Sequence, residues 1–474
     1  MRGISLGRVT MRLLLARALG YALALPNSII IARVLGVDRL GAYSYALGIA
    51  ALFSLLPNLG LSTVVTRTIA QNPVAGAGVV RSALRIQGLV AGAVVVVIPA
   101  FAALLPEQPV PITWVALAAV QLAIGTLSWP YLAVLSGHAR YDRVAVAELL
   151  CGLGGSGSLI VAALVSGSVA GFLTAHVAGA ALAVLIARFA AAPFLPRRQT
   201  PRRPLASLLR ESIPFGATAA VQSLYTRVDV LLLGQMAPTS AVGLYSAAYK
   251  PITLMASFGA TAGTLFPVLA QWSGTGPLVP FERAVRGLAV VAPALALGLS
   301  GLAQPLLVLL YGRDFAAAAP VLIVLAWSAV ANWYYAPFVI ALQARGRERW
   351  WLAGLLGGLL LNAAVNLWAI PRWGASGAAS ATLASEAALL LTGLAMARVL
   401  GLPFSVRPFG GALVAATLGG ATLWLLSPAG PFLATLAALL VYVAALAPFQ
   451  LVTVGDVVMV IGWLRQATPG SSRG

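Results

Sequence analysis

Charged side chains are scarce in this sequence: they make up 9% of its 474 residues, against about 25% in water-soluble domains. Hydrophobic residues account for 60% of the chain, and the mean hydropathy is +0.95. This composition does not provide enough charge to cover a large water-soluble domain. We therefore expect a polytopic membrane protein without a large catalytic domain outside the membrane.

Residues that support metal or redox chemistry are equally few. The single cysteine, Cys151, cannot form an intrachain disulfide, and the two histidines, His138 and His176, have no cysteine near them. Their spacing matches no recognised zinc site. The sequence also contains no HExxH motif, no nucleophile elbow and no phosphate-cradling loop. We therefore expect no metal, no cofactor and no catalytic residues, and we do not expect an enzyme.

Acidic residues are outnumbered by basic ones, 11 against 30, which gives a formal net charge of +19. All the basic residues except Lys250 are arginines, and most of them lie between apolar segments rather than on one polar face. This distribution is typical of the positive-inside rule, so we expect membrane lipids as partners and no nucleic acid. Most arginines fall in loops on the side of the N-terminus, which predicts a multi-pass protein of the cell membrane with both termini in the cytoplasm.

Apolar segments separated by helix breakers predict an all-α fold with about 14 transmembrane helices. The sharpest breaks are rich in proline, as at 105–109 and 427–431. The predicted spans are 12–34, 42–66, 80–105, 110–136, 144–166, 168–192, 206–235, 241–270, 284–310, 317–343, 349–371, 374–399, 408–427 and 431–463.

The two halves of the chain repeat each other weakly in the same direction. Gly41-Ala42-Tyr43-Ser44 follows the first span and matches Gly243-Leu244-Tyr245-Ser246 after the seventh. This match predicts two pseudo-repeated six-helix lobes around a central cavity, a plan typical of transporters that work by alternating access. The predicted parts are an N-terminal lobe (1–195, helices 1–6), a basic cytoplasmic linker (196–205), a C-terminal lobe (206–400, helices 7–12), and helices 13–14 with a cytoplasmic tail (401–474).

Several motifs together resemble one transporter family. They are Ile31-Ala32-Arg33-Val34-Leu35-Gly36, Arg67-Thr68-Ile69-Ala70, Arg227-Val228-Asp229, the stretch from Val242 to Lys250, and Asn362 with Asn366 followed by the small residues of 374–382. Taken in this order, the sequence is similar to the oligosaccharide-lipid flippases of the polysaccharide biosynthesis branch within the multidrug/oligosaccharidyl-lipid/polysaccharide exporter superfamily. The resemblance covers roughly residues 10–400.

The resemblance implies a fourteen-helix, two-lobed carrier. Such a carrier moves a polyprenyl-pyrophosphate-linked oligosaccharide from the cytoplasmic to the outer leaflet for cell-surface polysaccharide biosynthesis. The alternative is a cation-coupled multidrug extrusion transporter of the same superfamily. Lipophilic cations are bound by carboxylates and aromatic rings, whereas pyrophosphate is bound by arginine and lysine. The basic residues Arg227 and Lys250 inside predicted spans therefore favour the glycan lipid.

Ionisable residues inside a span are the candidate site residues, because each costs about 2.5–3.5 kcal/mol on insertion scales. Arg227 and Lys250 lie at comparable depths in the seventh and eighth spans and are predicted to form a cationic cavity for the pyrophosphate. Asp229 either orients one of them or forms a structural ion-pair cluster with both. Arg17, Arg33 and Arg67, nearer to helix ends, are further candidates for the cavity; for Arg17 the alternative is snorkelling to the interface. The list of candidates for coupling to a proton or sodium is Glu386, His176 and Glu148.

Each coupling candidate also has a structural alternative. Glu386 could be buried as a protonated, hydrogen-bonded acid, and His176 could be a packing histidine. Glu148 lies near the start of the fifth predicted span and could complement a helix N-terminus.

Overall fold

The computed structural model describes residues 6–451 except 55, 57–59, 73–75, 196–203, 260–268, 270–278 and 403. Within that part, the side chains of 6–24, 76–77, 213–219, 256–259 and 279–280 are not described. Every regular element in the described residues is a helix. The predicted linker (196–205), the tail beyond 451 and the side chain of Arg17 fall largely or wholly outside this description.

The described residues up to 259 form ten α-helices. In order they are α1 (Leu6–Leu52), α2 (Leu61–Gln71), α3 (Gly76–Ala103), α4 (Ile112–Thr126), α5 (Trp129–Gly137), α6 (Tyr141–Val165), α7 (Val169–Ala191), α8 (Leu205–Tyr225), α9 (Val228–Met236) and α10 (Thr239–Gly259). Six more follow: α11 (Val279–Gly301), α12 (Ala303–Tyr311), α13 (Ala319–Ala344), α14 (Glu348–Val399), α15 (Arg407–Leu425) and α16 (Pro431–Leu446). Short 3-10 turns follow α7, α12, α15 and α16.

The two longest helices are each broken at a glycine. Gly36 in α1 has φ 71° and ψ −179°, and Gly374 in α14 has φ 52° and ψ −125°. Positive φ is accessible to glycine at little cost, so the chain changes direction at these two points. The helix α14 therefore contains both predicted spans 349–371 and 374–399, whereas α1 contains the span 12–34 and only the first part of 42–66.

Nine described helical segments are long and apolar enough to cross a membrane. The predicted spans 144–166 and 168–192 agree closely with α6 and α7. Other spans are interrupted. The predicted span 110–136 is split into α4 and α5, because Pro130 lies in the first turn of α5 and lacks the amide hydrogen that a continuous helix would use. The span 206–235 is split at Thr226 and Arg227, between α8 and α9. The count of fourteen spans stays a prediction.

The chain forms two compact units. The first contains Met1–Pro251, Leu307–Val321 and Leu355–Thr382, and the second contains Ile252–Leu306, Leu322–Gly354 and Leu383–Gly474. A core cluster of the first unit joins α2, α3 and α5 around buried residues such as Val65, Ala83 and Val134. A cluster of the second unit joins α11, α15 and α16 around Leu297 and Tyr442. The predicted lobes 1–195 and 206–400 stay a prediction.

Within the first unit, the two repeated motifs pack directly against each other. A Cβ added to Gly41 would overlap the carbonyl oxygen of Thr239, and one added to Gly243 would overlap the carbonyl oxygen of Val37. Helix backbones approach this closely only where side chains are absent. The crossing of α1 and α10 at these glycines fixes the positions of Tyr43 and Tyr245, two residues further along each motif.

Large apolar side chains cover much of the outer surface. Leu164 and Trp424, for example, are 82% and 76% exposed. Such residues in a water-soluble protein would be a severe aggregation liability, whereas in a bilayer they face lipid. Their distribution agrees with the multi-pass membrane protein that the composition predicts.

Candidate functional site

The first compact unit encloses a cavity of about 330 Å³. Its walls come from α1 on both sides of the Gly36 break, from α6 and α7, from the junction of α8 and α9, from α10 and from α12. At the α8–α9 junction, Thr226 and Arg227 contribute polar side chains to the lining. Irregular backbone inside a membrane protein is tolerated where it lines a cavity or is buried in protein. We call this space the main cavity.

Arg227 and Lys250 both line the main cavity. Arg227 is the N-cap residue of α9, and Lys250 lies on α10 just before Pro251. Both side chains are exposed, and the charge of Arg227 is close enough to act on Lys250. No Asp or Glu is among the described residues that line this cavity. Two uncompensated cations with apolar walls make the main cavity attractive to an anion.

Aromatic and polar side chains complete the lining of the main cavity. Tyr43 is hydrogen-bonded to His176, and their rings are stacked with centroids 5.8 Å apart. Tyr245 and Tyr249 are also stacked, at 5.9 Å. Asn27 donates to Ser156 Oγ at 2.8 Å. Aromatic faces and hydrogen-bonding groups of this kind can contact the apolar and hydroxyl faces of a sugar.

Asp229 lies outside the main cavity lining and is buried, with 5% of its surface exposed. Its carboxylate accepts hydrogen bonds from Tyr245 Oη at 2.7 Å, Asn366 Nδ2 at 2.8 Å and Thr382 Oγ1 at 2.9 Å. Asn366 Nδ2 also donates to Asn362 Oδ1 at 2.8 Å. We call these five residues the Asp229 cluster. It joins α9, α10 and α14 within the first unit.

The structure therefore separates the predicted trio of Arg227, Asp229 and Lys250. The two cations share the main cavity, whereas the contacts of Asp229 are to neutral donors, and no salt bridge from it to either cation is present in the part of the chain that the structure describes. Tyr245 connects the two sites, because its ring lines the cavity and its hydroxyl is bound to Asp229.

The Asp229 cluster is rich in oxygen atoms. Besides the carboxylate it offers the amide oxygens of Asn362 and Asn366 and the hydroxyl of Thr382. The Asn366 Oδ1 atom is buried and accepts no hydrogen bond within the described residues. A buried acceptor without a donor is costly and calls for an explanation such as a bound ion.

The other predicted basic residues lie elsewhere. Arg33 donates from Nε to the carbonyl of Leu310 at 2.8 Å and from its terminal nitrogen to that of Leu309 at 2.5 Å, so it satisfies carbonyls at the end of α12. Arg67 lines a second cavity of about 590 Å³ together with Glu148. The side chain of Arg17 is outside the described residues.

Of the coupling candidates, only His176 lines the main cavity, where the charge of Lys250 acts on it. Glu386 is buried in the second unit and accepts from Asn332 Nδ2 at 3.3 Å.

Sequence reasoning did not identify Tyr43, Tyr245 and Tyr249 as cavity residues. A signal was present, because Tyr43 and Tyr245 occupy the same position in the repeated motif. It also did not identify Asn362, Asn366 and Thr382 as partners of Asp229. These lie far from Asp229 in the chain, and only the fold brings them together.

Comparison with protein families gives the affiliation of the chain. Residues 6–273, more than half of the chain, match the family described as polysaccharide biosynthesis protein. The chain belongs to this family. The family predicted from the sequence motifs is thereby confirmed.

Two curated proteins are similar to part of this polysaccharide biosynthesis family member. One is the probable low-salt glycan biosynthesis flippase Agl15 of Haloferax volcanii, 27% identical over 169 residues, or 34% of this chain and 36% of that protein. The other is the teichuronic acid biosynthesis protein TuaB of Bacillus subtilis, 28% identical over 171 residues, or 33% of this chain and 35% of that protein. The chain thus aligns with about a third of the length of these two relatives.

Solved structures resemble this polysaccharide biosynthesis family member over most of its length. The lipid II flippase MurJ in an inward closed conformation has a TM-score of 0.71 at 13% identity, covering 92% of this chain and 98% of that one. An inward-facing multidrug resistance MATE transporter of the MOP superfamily has a TM-score of 0.60 at 15% identity, covering 80% and 97%. At these identities the likeness shows the fold, and it confirms the predicted all-α polytopic architecture.

Proposed function

We propose that the protein is a flippase that moves a polyprenyl-pyrophosphate-linked oligosaccharide from the cytoplasmic to the outer leaflet of the cell membrane by alternating access. The observation that carries this proposal is the charge of the main cavity: its described lining contains two cations, Arg227 and Lys250, and no carboxylate. A pyrophosphate and hydrophilic sugars need such a cavity to cross hydrocarbon, whereas the polyprenyl chain can stay in lipid. Arg227 and Lys250 bind the phosphoryl oxygens through charge-assisted hydrogen bonds.

The flippase function is favoured over multidrug extrusion by the sign of the charge in the cavity. A lipophilic cation would be repelled by Arg227 and Lys250, because no carboxylate among the described lining residues offsets their positive charge. The stacked pair of Tyr245 and Tyr249 suits a sugar as well as it suits a drug. The names of the two curated relatives, a glycan biosynthesis flippase and a teichuronic acid biosynthesis protein, point to the same class of substrate. Translocation of this kind breaks no bond in the substrate, so the protein acts as a transporter and not as an enzyme.

Coupling to a cation is the second part of the proposal, and the Asp229 cluster is its site. A buried carboxylate without a counter-charge is costly, and a proton or sodium ion at Asp229 would neutralise it. The amide oxygen of Asn366, buried without a donor among the described residues, supports a bound cation. Oxygen ligands from helix interiors are typical of coupling-ion sites in transporters. We prefer this site to Glu386, Glu148 and His176 because it combines a buried carboxylate with a direct hydrogen bond to Tyr245 of the main cavity.

Transport in reconstituted liposomes tests the proposal. The full-length protein is expected to move a polyprenyl-pyrophosphate glycan across the bilayer, which is measured by the access of an external lectin to the sugar. Arg227→Gln and Lys250→Gln should slow this movement. Arg407→Gln is the matched control, because Arg407 is exposed and lies outside the main cavity. Equal loss of transport in all three variants, or none in any of them, would contradict the proposed role of the cavity.

A further inference from the structure

The second cavity, of about 590 Å³, is an open groove between α2, α5 and α6 of the first unit. Its volume is within the range of about 300–1,000 Å³ that is typical of small-molecule sites. It shares no lining residue with the main cavity. We call it the Arg67 cavity, and neither the pyrophosphate site nor the Asp229 cluster uses it.

The Arg67 cavity contains one cation and one anion. Arg67 on α2 and Glu148 on α6 both line it, and both side chains are exposed. The structure describes both side chains, and they form no salt bridge with each other. The salt bridge among the described residues joins Arg140 and Asp142. Two opposite charges that share a cavity without pairing offer complementary ends for a ligand that carries both signs.

Hydroxyl groups also line the Arg67 cavity. Thr66 Oγ1 donates to the carbonyl of Ala133 at 3.4 Å, and Ser136 Oγ donates to that of Leu132 at 3.1 Å. A hydroxyl that donates its proton to the backbone still has lone pairs for a ligand donor. The cavity can therefore accept several N–H groups near Glu148 while Arg67 donates to an anion.

The helix connectivity places the Arg67 cavity near one face of the membrane. The end of α2, the end of α5 and the start of α6 lie on one side, because α3 and the α4–α5 pair run in opposite directions. At 1.5 Å per residue, Arg67 lies about 6 Å from the end of α2 and Glu148 about 10 Å from the start of α6. Where helix ends lie at the membrane surface, this depth corresponds to the boundary between headgroups and acyl chains. The ligand is therefore best sought among membrane lipids.

We propose that the Arg67 cavity binds the phosphoethanolamine headgroup of a membrane lipid. The guanidinium of Arg67 binds the phosphate, and the carboxylate of Glu148 accepts hydrogen bonds from the primary ammonium. A choline headgroup lacks the N–H donors for Glu148, and a glycerol headgroup lacks the positive charge. The cavity thus selects phosphatidylethanolamine over phosphatidylcholine and phosphatidylglycerol.

Native mass spectrometry of the full-length protein in detergent tests this selection, with the three lipids of matched acyl chains as probes. The parent should bind phosphatidylethanolamine about tenfold more tightly than the other two, which corresponds to one charge-assisted hydrogen bond. Glu148→Gln should remove this preference, and Arg67→Gln should weaken the binding of all three lipids. Arg407→Gln, outside the cavity, should bind like the parent. Both test residues are exposed, so the variants are expected to fold, which thermal unfolding checks.

Three results would overturn the proposal. The first is a parent that prefers phosphatidylglycerol, which would make the cavity a simple anion site. The second is unchanged phosphatidylethanolamine binding in both Arg67→Gln and Glu148→Gln. The third is displacement of bound phosphatidylethanolamine by a polyprenyl-pyrophosphate glycan, with stronger displacement in Glu148→Gln than in the parent. That result would identify a pyrophosphate site, because removal of a nearby carboxylate strengthens the binding of an anion. The first two results do not bear on the main cavity, and the third is separated from a failure of the flippase proposal by the effects of Arg227→Gln and Lys250→Gln on transport.

Discussion

Tyr245 connects the main cavity to the buried carboxylate of Asp229. Its ring lines the cavity that holds Arg227 and Lys250, and its hydroxyl donates to Asp229 Oδ2 at 2.7 Å. In the proposed mechanism, a substrate that moves this ring would change the hydrogen bonding of the carboxylate, and a cation at the carboxylate would change the position of the ring. One side chain can therefore link substrate binding to cation binding, which by thermodynamic reciprocity works in both directions.

Tyr245→Phe should strengthen cation binding to the Asp229 cluster. The substitution keeps the aromatic ring in the cavity and removes one donor that competes with the cation for the carboxylate. A hydrogen bond to a charged group contributes about 1.5–3 kcal/mol, so the half-saturating sodium or proton concentration for transport should fall about tenfold or more. Tyr442→Phe is the control, since it loses a hydrogen bond of the same length, to the carbonyl of Val290, in the other unit. The same half-saturating concentration in Tyr245→Phe and the parent would argue against the link.

Asp229→Asn should remove the dependence of transport on the cation gradient. The amide keeps the size of the side chain but carries no charge for a proton or sodium ion to neutralise. Binding of the glycan lipid should stay close to that of the parent, because Asp229 does not line the main cavity. Glu386→Gln is the matched comparison, as Glu386 is another buried acid changed to its amide. If Glu386→Gln alone removes the gradient dependence, the coupling site is in the second unit instead.

Gly41→Ala should destabilise the fold at the crossing of α1 and α10. The added methyl group would overlap the carbonyl oxygen of Thr239, which is backbone and cannot rotate away. Overpacking of this kind costs about 1–3 kcal/mol, so the thermal unfolding temperature and the yield of folded protein should both decrease. Gly420→Ala is the control, because no atom lies within 4 Å of its added Cβ. Equal unfolding temperatures for the two variants would show that the crossing is more open than described.

The topology predicts labelling from opposite sides of the membrane. Single cysteines at Pro204 and Ser427, in a Cys151→Ser background, are both at exposed positions. Pro204 precedes α8 and lies on the predicted cytoplasmic side, whereas Ser427 lies between α15 and α16 on the predicted outer side. A membrane-impermeant maleimide applied to whole cells should label only the cysteine at 427. Labelling of both positions from the same side would rule out the fourteen-span orientation.

Much of the fold could be predicted because an apolar segment that crosses a membrane must bond its own backbone groups, which an α-helix does. The bounds of α6 and α7 agree with the sequence within a few residues. The interrupted helices could not be predicted as well. The break at Thr226 and Arg227 contains neither proline nor glycine, and the amides of both residues donate to carbonyls of the preceding turn, Gln222 and Leu224. No helix breaker therefore marks this position in the sequence.

The candidate site was only partly predictable for a related reason. Depth and charge placed Arg227 and Lys250 at one level, and the structure brings both into the main cavity. Depth does not give the direction of a side chain, so Asp229, two residues from Arg227, was assigned to the same group. In the structure it contacts Thr382 and Asn366, which are more than 130 residues away in the chain. Such long-range contacts depend on how the helices pack, and helix packing cannot be predicted from the residue pattern of one sequence.

The central claim is that Arg227 and Lys250 bind the pyrophosphate of the substrate. The most direct test compares the affinities of two ligands for the parent and for variants that lack one of these two side-chain charges. The ligands are a polyprenyl-pyrophosphate glycan and the same glycan on a polyprenyl monophosphate, bound to the full-length parent, Arg227→Gln, Lys250→Gln and the Arg407→Gln control at matched amounts of folded protein. The parent and the control should prefer the pyrophosphate by about tenfold, since the extra phosphate engages a second cation. Arg227→Gln and Lys250→Gln should each lose that preference. An equal preference for the pyrophosphate in all four proteins would contradict the assignment of the main cavity as the pyrophosphate site.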